Sequence, residues 1–127
     1  MAETALVTED IEAADRLVDM LDQHGLPVRS AMWLYESDAE RWRFVICFRE
    51  DRENYMSFYR DMARVFNQNL SLNALELDRV GVVRFEGSIF SQLRGVVNIQ
   101  GKSRVRFSHN RINGVYLEDA MIYRLEA

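Results

Sequence analysis

The chain of 127 residues contains only one cysteine, Cys47, and no long apolar run. A single cysteine cannot form an internal disulfide, and it excludes a zinc site built from several cysteines. No apolar run approaches the roughly 18 to 20 residues that a membrane span needs. The first ten residues also lack the basic cluster and apolar stretch of a secretory signal, so we expect a cytoplasmic protein with no membrane partner.

Charge is distributed unevenly along the chain, although the composition is ordinary for one globular domain spanning residues 1–127. The first 40 residues hold ten acidic side chains and only Arg16 and Arg29 as bases, whereas the remainder holds ten acidic and fourteen basic side chains. An acidic helix packed beside a basic sheet explains this asymmetry more simply than a charged partner does.

Hydrophobic spacing predicts an α+β fold with three helices and about five strands. The first helix is expected to begin at Glu9 after a Thr8 cap and to end at Gly25, and the second spans Asp51 to Asn67. The other predicted elements are the strands Val28–Tyr35 and Arg41–Phe48, a strand Leu75–Phe85 with a bulge or bend at Gly81, a short helix after a Ser88 cap, and the strands Arg104–Ile112 and Val115–Leu125. We therefore expect a mostly antiparallel sheet with three helices packed on one side, in the order αββαβαββ.

The first hairpin has two plausible registers. If Tyr35 lies opposite Arg41, then Trp33 faces Arg43 and one surface of the hairpin is both aromatic and basic. A shift of one residue instead sets Trp33 and Tyr35 against Trp42 and Phe44 and buries these aromatic side chains together. The sequence does not decide between the two registers.

The last hairpin has a clear turn signal in Asn113-Gly114, which suits a two-residue type I′ turn. The pairing that follows places Val105 opposite Ile122 and His109 opposite Glu118, with Arg104 and Arg106 on the reverse face.

An interaction surface is the leading functional hypothesis. Trp33, Tyr35, Tyr116 and Tyr123 are candidates for exposed positions on the hairpins, and Tyr, Trp and Arg dominate protein interfaces. The predicted function is therefore a non-catalytic interaction protein that forms a homodimer or binds another bacterial protein.

Binding of single-stranded nucleic acid is the alternative. If both hairpins belong to one sheet, four arginines can share a face with Trp33 and Tyr35, and such a face binds phosphates and stacks on unpaired bases. These arginines are Arg41, Arg43, Arg104 and Arg106. The acidic composition and the lack of a nucleic-acid-binding motif weigh against this hypothesis.

An enzyme is the third possibility. His109 and Glu118, paired across the last hairpin, would form a His-carboxylate couple capable of acid-base chemistry. The sequence places no nucleophile beside them, so a structural pair is the simpler interpretation, and we predict no catalytic residue, metal or cofactor.

Three stretches carry a resemblance: Ile112 to Leu125, Asp10 to Ala14 and Ala31 to Tyr35. Together they make the chain similar to small uncharacterised bacterial proteins, of a kind associated with mobile gene cassettes. The resemblance implies a bacterial, cytoplasmic origin and an accessory status, and it assigns no activity or site residue.

Overall fold

The computed structural model describes residues 5–68, 76–101 and 103–126. It is an α+β fold whose elements follow the expected order. The elements are α1 (Thr8–Gln23), β1 (Val28–Glu36), β2 (Arg41–Phe48), α2 (Met56–Gln68), a short 3-10 helix (Leu77–Arg79), β3 (Val80–Val82), α3 (Ile89–Leu93), β4 (Val105–Ile112) and β5 (Val115–Leu125).

All five strands form one mixed sheet in the order β3-β2-β1-β5-β4. Its neighbouring strands are antiparallel except for β3, which runs parallel to β2. The connection between β2 and β3 contains α2, and a crossover of this kind is what parallel neighbours require. The sheet is therefore mostly antiparallel, as expected.

The predicted strand Leu75–Phe85 is wrong in its extent and in the role of Gly81. Only Val80–Val82 is strand, the three preceding residues form the 3-10 helix, and Leu75 lies outside the described residues. Gly81 pairs regularly with Val45, so it is not a bulge. A Cβ at Gly81 would lie 2.5 Å from Nη2 of Arg43, and the missing side chain lets that guanidinium pack against the strand.

The first hairpin adopts the register that buries its aromatic side chains. Trp33 lies opposite Phe44 and Tyr35 opposite Trp42, and the ring centroids of these pairs are 5.1 and 5.5 Å apart. The register with Tyr35 opposite Arg41 is therefore wrong. In that register, the apolar rings that α1 and α2 cover would have stayed exposed on the aromatic and basic surface of the hairpin.

The sheet has a core on each side. On the helix face, Trp33 and Phe44 pack in one cluster with the apolar residues of α1 and α2. On the opposite face, Met32 and Val45 pack in a second cluster, to which α3 contributes Phe90 and Leu93. The two long helices thus share one side, and the five-residue α3 covers the other.

The last hairpin has the expected register, with Val105 opposite Ile122 and Arg106 opposite Met121. His109 departs from it, because its φ of 51° lies in the left-handed region and the ladder passes from Ser108 to Asn110. Nδ1 of His109 lies 3.1 Å from the hydroxyl of Tyr116. The unchanged register on either side leaves His109 across from Glu118 as predicted, but the predicted contact between their side chains is not formed.

Ion pairs between α1 and the later part of the chain account for the charge asymmetry. Arg104 binds Glu12 at 3.0 Å and also binds Asp15. Nearer the two ends of α1, Asp10 and Asp22 bind two other arginines, Arg79 and Arg124, at 3.1 Å each. α1 is thus the acidic helix that was expected, but only Arg124 of these three arginines lies in a strand, because Arg79 belongs to the 3-10 helix and Arg104 precedes β4. No helix within the described ranges is long and apolar enough to cross a membrane.

Candidate functional site

Two of the predicted interface residues, Trp33 and Tyr123, belong to the core. Both are fully buried on the helix face. The Tyr123 hydroxyl donates a hydrogen bond to the carbonyl oxygen of Ile11 in α1 at 2.7 Å, and burial raises the pKa of this phenol. The prediction that these two side chains form a binding surface is wrong, because the buried register places them beneath α1.

The four arginines of the nucleic-acid hypothesis do not share a face. The guanidinium of Arg106 lies 5.4 Å from the ring of Trp42 on the helix face, and Arg104 binds the acidic residues of α1 there. Arg41 and Arg43 flank Trp42 in β2, so the alternation of a strand directs them to the opposite face.

The helix-face arginines are also engaged within the chain. Arg106 donates to both carboxylate oxygens of Asp119, at 2.6 and 2.7 Å, and this bond lowers the pKa of Asp119. The predicted single basic face is therefore wrong, and nucleic-acid binding loses the geometry on which it depended.

A split in the sheet forms the most distinctive surface feature. β1 pairs with β5 only as far as Leu34 and Ala120, but it continues to pair with β2 as far as Glu36. β5 likewise stays paired with β4 to the turn that precedes Val115. Beyond the last pair between β1 and β5, the sheet thus divides into two hairpin arms, residues 35–42 and residues 108–119.

A groove of about 450 Å³ lies between the two hairpin arms. Leu34 and Ile89 provide its apolar lining, and the rings of Tyr35 and Tyr116 flank it. This volume falls within the roughly 300 to 1,000 Å³ of typical ligand clefts. Tyr35, Tyr116 and Glu118 were predicted as binding residues, and the groove brings these three together.

The charged lining of the groove is entirely acidic, since Glu36, Asp38 and Glu118 contribute carboxylates and no described lining residue is basic. Arg41 lies just outside this set, with its Nε 4.0 Å from Glu36 and its side chain 50% exposed. Within the described ranges, the half-buried Glu118 side chain has neither a hydrogen bond nor an ion pair. The guanidinium of Arg111 also lies 5.8 Å from the ring of Tyr116, so three carboxylates line the groove beside two arginines that flank it.

Two other cavities contain charged side chains that pair with each other. In a cavity of about 280 Å³ beside His24, Arg52 binds Asp61 at 2.9 Å. In a cavity of about 210 Å³ beside Cys47, Arg84 binds Asp51 at 2.9 Å. Neither cavity presents an unpaired charge comparable to Glu118.

Cys47 is not an activated nucleophile. Burial is the main cause that raises the pKa of its thiol to about 11, and a coulombic interaction with Arg29 lowers the pKa by less. The reactive form of cysteine is the thiolate, so this side chain stays protonated and inert at neutral pH.

The histidine-carboxylate couple considered from the sequence is not assembled. Glu118 lines the groove, whereas His109 contacts Tyr116 and is not among the described lining residues. No group of three or more metal-ligating side chains occurs in the described part of the chain.

Sequence reasoning missed the residues that complete the groove, chiefly Leu34, Glu36, Asp38 and Ile89. The polar turn after β1 was visible, but a groove exists there only because β5 lies beside β1 and then diverges from it. That neighbour relation joins residues more than 80 positions apart, and no local pattern encodes it.

The fold and the groove together define an α+β protein with a split mixed sheet and an acidic, aromatic cleft. Comparisons with protein-family models, with curated proteins and with solved structures found no match. The resemblance to bacterial cassette proteins stays a prediction, and the function has to be argued from the groove.

Proposed function

We propose that this protein is a non-catalytic binding protein that holds an extended segment of another protein in the groove between its hairpin arms. The observation that carries the proposal is the early end of the β1–β5 ladder at Leu34 and Ala120. Strand edges without a ladder partner present N–H and C=O groups to an incoming chain. Extended peptides bind such edges through main-chain hydrogen bonds and through pockets for alternate side chains.

The side chains at the groove suit this role. Tyr116 is 51% exposed, and it is the one aromatic residue among the large hydrophobic side chains exposed in the described part of the chain. Tyrosine offers a rigid ring and a polar hydroxyl, and it is enriched among residues that dominate binding energy. A bacterial cytoplasmic setting remains part of the proposal as a prediction, and the homodimer expected from the sequence is the alternative to a different protein partner.

An unbiased peptide library tests the proposal. Random peptides of about nine residues, enough to span a short strand, are displayed and selected on the full chain. Selected peptides are then measured by titration against the parent, against Tyr116→Ala and against Met56→Ala. Met56 is the matched control, because it is 64% exposed and lies on α2, away from the groove.

We expect the selected peptides to lose at least about tenfold in affinity with Tyr116→Ala and to bind Met56→Ala like the parent. Hydrogen exchange should slow at the amides of residues 35–38 and 116–118 when the peptide binds. A library that yields no binder, or peptides that bind Tyr116→Ala as tightly as the parent, would overturn the proposed function.

A further inference from the structure

We infer that the segment held in the groove is basic, with arginine or lysine at alternate positions; this inference rests on the proposed function. The charge of the site carries it, since three carboxylates line the groove and no base among the described residues does. A cationic occupant supplies the opposite charge that the cleft lacks.

Glu118 is the strongest part of this argument. Its carboxylate is half-buried and has no partner within the described ranges, and its oxygens stay open to solvent, so a cation can reach it without breaking another bond. Most other buried or half-buried acids of this protein have such a bond: Asp10 binds Arg79, and Asp119 binds Arg106. A guanidinium or ammonium from a bound segment would give Glu118 the charge-assisted bond that this chain gives the others.

The spacing of the lining residues matches an extended occupant. On the second arm, Tyr116 and Glu118 are two positions apart in β5, whereas on the first arm Glu36 ends β1 and Asp38 lies in the turn that follows. Side chains of an extended chain point to the same side at every second residue. A segment with bases at alternate positions can therefore meet Glu118 and a carboxylate of the first arm, while the ring of Tyr116 already has the guanidinium of Arg111 at 5.8 Å from its centroid.

The occupant is a different protein rather than a second copy of this chain. The arginines of the helix face already bind the acids of α1 and Asp119. The first 15 residues contain acidic side chains and no base, so this terminus has the wrong charge for the groove. The arginines of the helix face are thus paired within one molecule and do not supply the charge that the groove of a second copy would bind.

Two synthetic peptides test the charge of the occupant directly. One is an acetylated, amidated hexapeptide that alternates threonine with arginine, and the other replaces arginine with glutamate. We expect the arginine peptide to bind and to weaken steeply as salt rises, because its attraction is partly screened. We expect no binding of the glutamate peptide.

Glu118→Gln keeps the shape of the side chain and removes its charge. We expect it to weaken binding of the arginine peptide about tenfold, the effect of losing one hydrogen bond between charged groups. Glu53→Gln makes the same charge change at an exposed position outside the groove and should bind like the parent.

The outcomes separate the two proposals. If library peptides bind in the groove but are neutral or acidic, the proposed function stands and the basic occupant is wrong. Equal loss of affinity in Glu118→Gln and Glu53→Gln also refutes the basic occupant, because the attraction then follows net charge alone. If the arginine peptide fails to bind while the library yields no groove binder, both proposals fail together.

Discussion

Arg124 offers a sharp test of what holds the two halves of the fold together. Its side chain is 10% exposed, and Nη1 donates to the carbonyl oxygen of Val28 at 2.8 Å and to Asp22 at 3.1 Å. Nε donates to the carbonyl oxygen of Gly101. Asp22 also accepts a bond from the amide of Val28 at 2.8 Å. One guanidinium thus joins the end of α1, the start of β1 and the end of β5.

Arg124→Met replaces this group with an apolar side chain that still fills the space beside the stem. The change leaves three acceptors without their donor, and breaking a buried ion pair costs about 3–5 kcal/mol. Asp22 is 33% exposed, so water compensates it in part and we expect the lower figure, about 3 kcal/mol. For a domain of this length, that loss lowers the melting temperature by about 12 °C.

Urea titration followed by tryptophan fluorescence measures the effect, because Trp33 and Trp42 are both buried and report on unfolding. The matched control is Arg60→Met on the exposed side of α2, which should stay within about 0.5 kcal/mol of the parent. A cycle with Asp22→Asn isolates the pair itself. An Arg124→Met protein as stable as the control, or a cycle without coupling, would refute the reasoning.

Two further predictions concern packing and ionisation. Gly81→Ala should destabilise the parent protein, because the new Cβ displaces the guanidinium of Arg43. In an Arg43→Ala background, the same substitution should stabilise the protein by about 0.5–1 kcal/mol, since alanine restricts the unfolded chain more than glycine does. The same sign of effect in both backgrounds, measured by urea unfolding, would contradict this packing. Burial raises the pKa of Cys47 to about 11, so the thiol ionises at a lower pH in the unfolded chain than in the folded one. The contribution of the protonated thiol to stability is therefore complete below a pH of about 8.5 and falls as the pH rises toward 11. Cys47→Ala should lose less stability over that range, and parallel curves for the two proteins would contradict the prediction.

Local turn chemistry explains why the last hairpin was predictable and the first was not. Asn113 and Gly114 both adopt positive φ, at 51° and 80°, as a type I′ turn requires, and the turn fixes the register that follows. The first hairpin has a longer polar turn that permits two registers. Its register follows instead from Trp33 and Phe44, which must both face α1 and α2 to be buried.

The extent of β3 was mispredicted because a segment with the composition of a strand need not pair with a neighbouring strand along its whole length. The stretch around Val80 is apolar and contains branched side chains, but only three of its residues pair with β2. The hydroxyl of Tyr59 in α2 accepts a hydrogen bond from the amide of Val82 at 2.9 Å. A side chain thus takes the place of a further strand at this edge, and the sequence gives no sign of it.

The same distinction between local pattern and long-range pairing bears on function. Tyr35, Tyr116 and Glu118 were recognisable as residue types that bind partners, and they do lie together. What the sequence did not reveal is that β1 and β5 separate after Leu34. The acids of α1 bind arginines of the later chain, whereas the half-buried Glu118 at this separation has no partner within the described ranges. The basic segment that we propose would give this carboxylate the charged partner that the fold gives the acids of α1.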